Sequence, residues 1–164
     1  MAVKGQPRMG QGESGQQPIS LVIPCRAEYL VLCRLVAGVV GARESLDEEE
    51  IADLKLVVTE ACTCFLWGPD GSPPPEDDSI SVEPPSSLRV DFNVLPEAWE
   101  ITISDPEHRH HMPVAGRCDP TGGEGLGLTI IRALVDALEH TDTAGEGSVI
   151  HVVKRLSSRP TRTV

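Results

Sequence analysis

Two groups of residues in this chain have types and spacing that chemistry could use. The first is Glu60 with Cys64, in the stretch VVTEACTCFL at residues 57–66. Four residues apart on a helix, the two side chains share a face. The pair is half of a nucleotide site, a remnant of one, or ordinary helix packing. A glutamate on a helix flank is most often solvated or ion-paired, so the residue types alone do not choose. The second group is TGGEGLGLTIIRALVDAL, residues 121–138, where clustered glycines run straight into an amphipathic helix. Such a segment brings backbone close to phosphate groups and offers them the positive end of a helix. It is neither a Rossmann fingerprint nor a P-loop, because no strand precedes it and the GK[ST] ending is missing. Taken alone, a flexible Gly-rich lead into a helix explains it more simply.

Histidine and cysteine add less. The run HRHH, from His108 to His111, sits in a polar loop with no acidic pattern beside it, and reads as solvated rather than metal-binding. The cysteines are Cys25, Cys33, Cys62, Cys64 and Cys118, an odd number whose spacings match no zinc pattern. Cys62 and Cys64 are two apart, which puts their thiols on different helical faces. Reduced, mostly buried thiols of a cytoplasmic protein are the expectation.

Those residues need elements to hold them. Residues 1–18 are Gly, Gln and Pro with little to bury, and are expected to be a disordered tail. A domain is expected over 19–156 and a short basic tail over 157–164. ISLVIP at 19–24 reads as a strand, and 27–42 as a helix with Leu30, Cys33, Val36 or Ala37, and Val40 recurring at helical spacing. The next helix starts at Asp47, an N-cap with Glu50 three residues on to complete a capping box. Its apolar stripe runs Ile51, Leu54, Val58, Ala61, Phe65, with Asp53, Val57, Glu60 and Cys64 beside it facing a cleft at the edge of the core.

A Pro-rich acidic loop follows at 68–87, then strands at 88–94 and 98–104 that alternate like a half-buried antiparallel hairpin. A loop at 105–124, a helix at about 125–138 and a final strand at 148–155 complete the order. That order predicts an α+β, two-layer sandwich: a mixed, mostly antiparallel sheet with helices on one face.

The formal net charge of −11 argues against a nucleic-acid binder, which needs clustered Lys and Arg. It suits meeting basic or mixed-charge protein partners. No apolar run is long enough to span a bilayer, and no signal-peptide core opens the chain, so no membrane association is expected.

Three stretches in this order, EYLVLCRLVAGVV, EEEIADLKLVVTEACT and GEGLGLTIIRALVDALEH, resemble the anti-sigma-factor serine kinases, the RsbW-type branch of the GHKL ATPase superfamily. The resemblance covers residues 19 to 156 and implies the GHKL (Bergerat-type) ATPase fold. In that family a helix bears E-x-x-x-N, the glutamate as general base and the asparagine holding Mg²⁺. Glu60 matches the glutamate, and Cys64 stands where the asparagine should be. The next box, D-x-G-x-G, uses its aspartate on the adenine amino group. Asp105 matches it, but Glu107 and Arg109 replace both glycines. Gly123, Gly125 and Gly127, with Leu126 among them, match the third box intact. Ser148 matches a late Thr or Ser that supports the adenine-binding aspartate, and Arg109 falls in a segment that forms a lid over phosphate. Arg34 matches an arginine of the first helix that contacts partners.

The departures carry physical weight. Mg²⁺ wants oxygen ligands in near-octahedral geometry, and a thiol is a poor replacement for an amide oxygen. Glu107 and Arg109 restrict the backbone where glycine would free it. ATP is therefore a candidate cofactor and Mg²⁺ a doubtful one. The resemblance implies an anti-sigma factor that sequesters a sigma factor, is released by a STAS-type antagonist, and forms a homodimer, with weak or absent kinase activity. The alternative is an active serine/threonine kinase that phosphorylates the antagonist.

Overall fold

The computed structural model describes residues 18–66, 86–107, 126–143 and 147–156. Strand β1 (Ile19–Pro24) leads through a 3-10 turn at Ala27–Tyr29 into α1 (Leu30–Arg43), and α2 (Glu48–Thr63) follows. Then come β2 (Ser87–Val94), β3 (Ala98–Ser104), α3 (Leu126–Leu134), β4 (Ala137–Thr143) and β5 (Gly147–Arg155). The strands form one sheet in the order β1-β2-β3-β5-β4. The α+β sandwich is as expected, and among the described residues every strand pairing is antiparallel.

Strand alternation decides which face meets the helices. Val90 lies opposite both Leu21 and Ile103, and Ile101 opposite both Phe92 and Val152, so these side chains share one face. With Leu88, Trp99 and Ile150 they form the sheet half of the core. Cys33, Ala37 and Val40 of α1, and Leu54, Val57, Val58, Ala61 and Cys62 of α2, supply the other half. The opposite face is more polar, though Val22 lies on it: Arg89 Nε donates to Asp91 at 3.0 Å, Ser20 bonds the same carboxylate, and Asn93 donates to Glu100 at 3.2 Å.

The α1–α2 hairpin is built by two end motifs. At the start of α2, the Glu50 amide donates to Asp47 Oδ1 at 2.8 Å and the Asp47 amide to Glu50 Oε2 at 3.0 Å, the capping box expected from the sequence. At the end of α1 the chain turns at Ser45, whose φ is 57°. The Leu46 amide donates to the Gly41 carbonyl at 2.9 Å and the Ser45 amide to Ala42 at 3.2 Å, a Schellman closure with serine in the left-handed position that usually takes glycine. The helices lie close together because α1 carries glycine at the seam. A β-carbon on Gly41 would stand 2.7 Å from Ile51 Cγ1, and one on Gly38 2.7 Å from Lys55 Cε.

Two expectations need correction. The helix predicted over 125–138 ends at Leu134, and Ala137–Thr143 is an edge strand paired with β5. Leu138 continues the helical spacing of Ile131, Leu134 and Val135, but it equally suits an inward strand position opposite Val152. Asp136 sets the boundary: its amide donates to the Val153 carbonyl at 2.9 Å and its Oδ2 accepts from the Arg155 amide at 2.7 Å. The second correction concerns the flank of α2. Val57 is wholly buried in the core rather than facing a cleft, and Asp53 is paired with Lys154 Nζ at 3.4 Å. Lys154 lies on the helix face of the sheet, and its ammonium also donates to the Leu134 carbonyl at 2.5 Å, joining β5, α2 and the end of α3.

Candidate functional site

Glu60 lies in the last turn of α2 and is half-buried. Gly127 lies in the first turn of α3, pressed against it: a β-carbon there would stand 2.9 Å from Glu60 Oε2 and 3.7 Å from Glu60 Cβ. The sequence placed these residues in separate boxes, and the packing of α2 on α3 brings them together. Leu126, at the head of α3, is 76% exposed and points away from the core. Gly123, Gly125, Arg109 and the His108–His111 run lie outside the described residues.

Cys64 is the C-cap of α2, and its thiol donates to the Glu60 carbonyl at 3.3 Å. Its sulfur is thus turned back onto the end of its own helix. One residue on, the Phe65 carbonyl accepts from the Cys25 thiol at 3.4 Å. Cys25 follows β1 and links the end of α2 to the sheet. Burial, and next the neighbouring Asp105 carboxylate, push its thiol up to about 12, so it is neutral at physiological pH.

Asp105 follows β3 and is 2% exposed. Its amide donates to the Ser148 carbonyl at 3.4 Å, and its Oδ1 accepts from the Glu107 amide at 2.9 Å. Ser148 on β5 is wholly buried. Glu107 occurs where the resemblance called for glycine; its side chain reaches the start of β2 and accepts from Ser87 Oγ at 2.9 Å. Glu60, Gly127, Cys64, Cys25, Asp105 and Ser148 thereby form one connected line from the α2–α3 contact to the β3–β5 pair. Cys25 is the residue that sequence reasoning missed. Nothing in its spacing sets it apart from the other thiols, because only the fold puts it beside Asp105.

Arg34 lies elsewhere. It lines a groove between α1 and α2 with Glu48, Ile51, Ala52, Lys55 and Leu56. On the same helix Val31, Leu35 and Val39 are exposed, and Val39 is 69% so. Helix α1 is therefore apolar on both its buried and its open side.

A family model for the histidine kinase-like ATPase domain matches residues 23–154. The chain belongs to that family. This ATPase-family member is 30% identical over 141 residues to the serine-protein kinase RsbW of Bacillus pumilus, covering 77% of this chain and 80% of the relative. It is 29% identical over 140 residues to the anti-sigma-F factor RsbW of Mycobacterium tuberculosis, covering 79% and 81% respectively. It is more distantly similar, at 22% over 139 residues, to the serine-protein kinase RsbW of Halalkalibacterium halodurans, with 79% and 78% covered.

The family implies ATP, and two features of this ATPase-family domain fit a nucleotide. One is a buried aspartate with a carboxylate suited to an amino group. The other is a glycine at the head of α3 where backbone approach is close. Mg²⁺ does not fit in the same way. Cys64 brings a sulfur rather than an oxygen and turns it toward a carbonyl of its own helix. Among the described residues, no group of three or more His, Cys, Asp or Glu side chains could hold a metal ion.

Proposed function

We propose that this protein is an anti-sigma factor of a partner-switching pathway, holding a sigma factor until a STAS-type antagonist displaces it, with protein-kinase activity weak or absent. The names of its relatives support the partner class, since they are an anti-sigma-F factor and serine-protein kinases. The observation that carries the reading on activity is the Cys64 thiol donating to the Glu60 carbonyl. Phosphoryl transfer relies on metal-assisted charge stabilisation more than on a base, so Glu60 alone is a poor kinase centre. Glu60 is a remnant base, Asp105 and Ser148 hold the adenine end, and the family resemblance assigns Gly123, Gly125 and Gly127 to the phosphates. ATP binds here as a structural ligand rather than as a phosphoryl donor.

The groove beside Arg34 is the sigma-factor contact. Two cations, Arg34 and Lys55, outnumber the one carboxylate, Glu48, around the apolar Ile51 and Leu56 in a chain of net charge −11. That pattern suits a partner segment with an apolar anchor beside a carboxylate. The open apolar side of α1 also supports self-association as a homodimer, readable by light scattering. No helix among the described residues is long and apolar enough to cross a membrane; a cytoplasmic site of action follows from the partner class.

Co-purification with sigma factors tests the reading. Binding at micromolar concentration or tighter, lost on Arg34→Ala, is the expected result. Absence of any sigma-factor or STAS-protein complex sinks it. Label transfer from ATP to the antagonist separates the kinase alternative: the wild type is silent, and Cys64→Asn regains transfer.

A further inference from the structure

Positive charge is scarce in this chain of net charge −11, and it is not evenly neutralised. Arg26, Arg43, Arg89 and Lys154 each pair with a carboxylate. Arg34 and Lys55 do not. Among the described residues neither side chain has an ion-pair or hydrogen-bond partner, although Glu48 lines the same groove. The α1–α2 groove therefore holds two cations whose charge the fold itself does not use.

Gly38 decides where one of them lies. A β-carbon there would stand 2.7 Å from Lys55 Cε and 3.2 Å from Nζ, so the lysine side chain crosses the seam and rests over α1. The two seam glycines differ in what they admit. At Gly41 the facing atom is Ile51 Cγ1, in the stem of a stiff branched side chain, and the close approach of the helices needs glycine. At Gly38 the facing atoms are the end of a flexible chain, which can swing outward, so helix packing does not need glycine there. Glycine is also the poorest residue for a helix interior apart from proline, and alanine would serve α1 better. What glycine provides at 38 is room for an ammonium. Gly38 follows Arg34 by four residues, on the same face of α1 and about 6 Å further along the helix.

We propose that Gly38 is a positioning residue: it seats the Lys55 ammonium one turn from Arg34, and the two cations together receive two carboxylates spaced one helical turn apart on an amphipathic helix of the partner. Carboxylates three or four residues apart on a helix are separated by the same turn as Arg34 and Gly38, so a partner helix lying along α1 meets both charges at once. Its apolar residues have ground to cover beside them. Leu56 in the groove is exposed, and Leu35, directly after Arg34, is 61% exposed. Holding the ammonium in place beforehand spares the freedom that a lysine otherwise loses on binding.

The recognition half rests on the partner reading above, whereas the placement of the ammonium does not. Proton NMR on the full chain reads the placement without a partner. Nuclear Overhauser contacts should join the Gly38 α-protons to the Lys55 ε-methylene, and contacts from that methylene to residue 38 should be lost in Gly38→Ala. Calorimetry with the sigma factor that co-purifies with the chain reads recognition. Lys55→Ala should weaken binding about tenfold and Gly38→Ala about fivefold. The double variant should bind no worse than Lys55→Ala alone, because Gly38 acts through Lys55. The melting temperature of Gly38→Ala should stay within about 3 °C of wild type. Alanine replacement of the sigma factor's acidic residues should single out two carboxylates three or four residues apart. No contact between Gly38 and Lys55 in the wild type overturns the placement. Losses that add in the double variant, or a Gly38→Ala that binds like wild type, overturn the positioning role. Absence of a carboxylate pair overturns the occupant. If the wild type binds no sigma factor, the partner reading fails and takes recognition with it, while the NMR contacts still decide where the ammonium lies.

Discussion

Gly127 at the head of α3 lies against the carboxylate of Glu60 at the end of α2, so closely that a β-carbon would stand 2.9 Å from Oε2. The Gly-rich segment and the base position are thus two sides of one contact. Glycine at 127 lets the helix end approach Glu60. Because the obstructing atom is the tip of a flexible side chain, an added methyl moves the carboxylate rather than the fold.

Gly127→Ala should therefore leave stability within about 1 kcal/mol of wild type, since alanine also favours the helix. Nucleotide affinity should fall by about tenfold or more as Glu60 is displaced. Calorimetric titration with ATP beside a thermal melt checks both halves. A large loss of stability with affinity intact would mean the contact is structural only.

The two seam glycines of α1 should behave differently. Gly41→Ala places a methyl against Ile51 Cγ1, in the stem of a stiff β-branched side chain packed against the core, and should cost about 1–3 kcal/mol. Gly38→Ala meets the flexible stem of Lys55, which can swing outward, and should be close to neutral. Urea unfolding of the two variants makes the comparison.

Ser45 holds a φ of 57° in the Schellman turn after α1. Ser45→Gly removes the steric cost of that conformation, though it adds freedom to the unfolded chain. The net gain should be about 0.5–1 kcal/mol, read from the urea midpoint.

Cys25 gives an alkaline signature. Its thiol ionises at 9.0 when unperturbed and at about 12 in the folded protein, so the folded state resists losing that proton. Stability is unaffected by this group below pH 9, falls as pH rises through the interval up to about 12, and levels beyond it. Cys25→Ala should flatten that decline in melts taken between pH 8 and pH 11.

Much of the fold was legible because its local signals agree with each other. Asp47 and Glu50 announced α2, and the alternation of 88–94 and 98–104 announced the central hairpin. The line from Glu60 through Asp105 to Ser148 was visible only through family resemblance, since the residues come from three distant segments that the sheet brings together. Strand β4 was missed because Leu138 satisfies helical and strand periods alike, and the turn at Asp136 depends on Val153 and Arg155 far along the chain. The α1–α2 groove was hidden for the same reason. It needs the register of two helices, and an α1 that is apolar on both its buried and its open side gives no sign of which side faces out.

The central claim is that the protein holds its partner without Mg²⁺-dependent phosphoryl transfer. Calorimetric titration with a sigma factor in excess EDTA tests it most directly. Binding at micromolar concentration or tighter, unchanged when Mg²⁺ and ATP are supplied together, is the predicted result. Binding that appears only with Mg²⁺ and ATP present would contradict it.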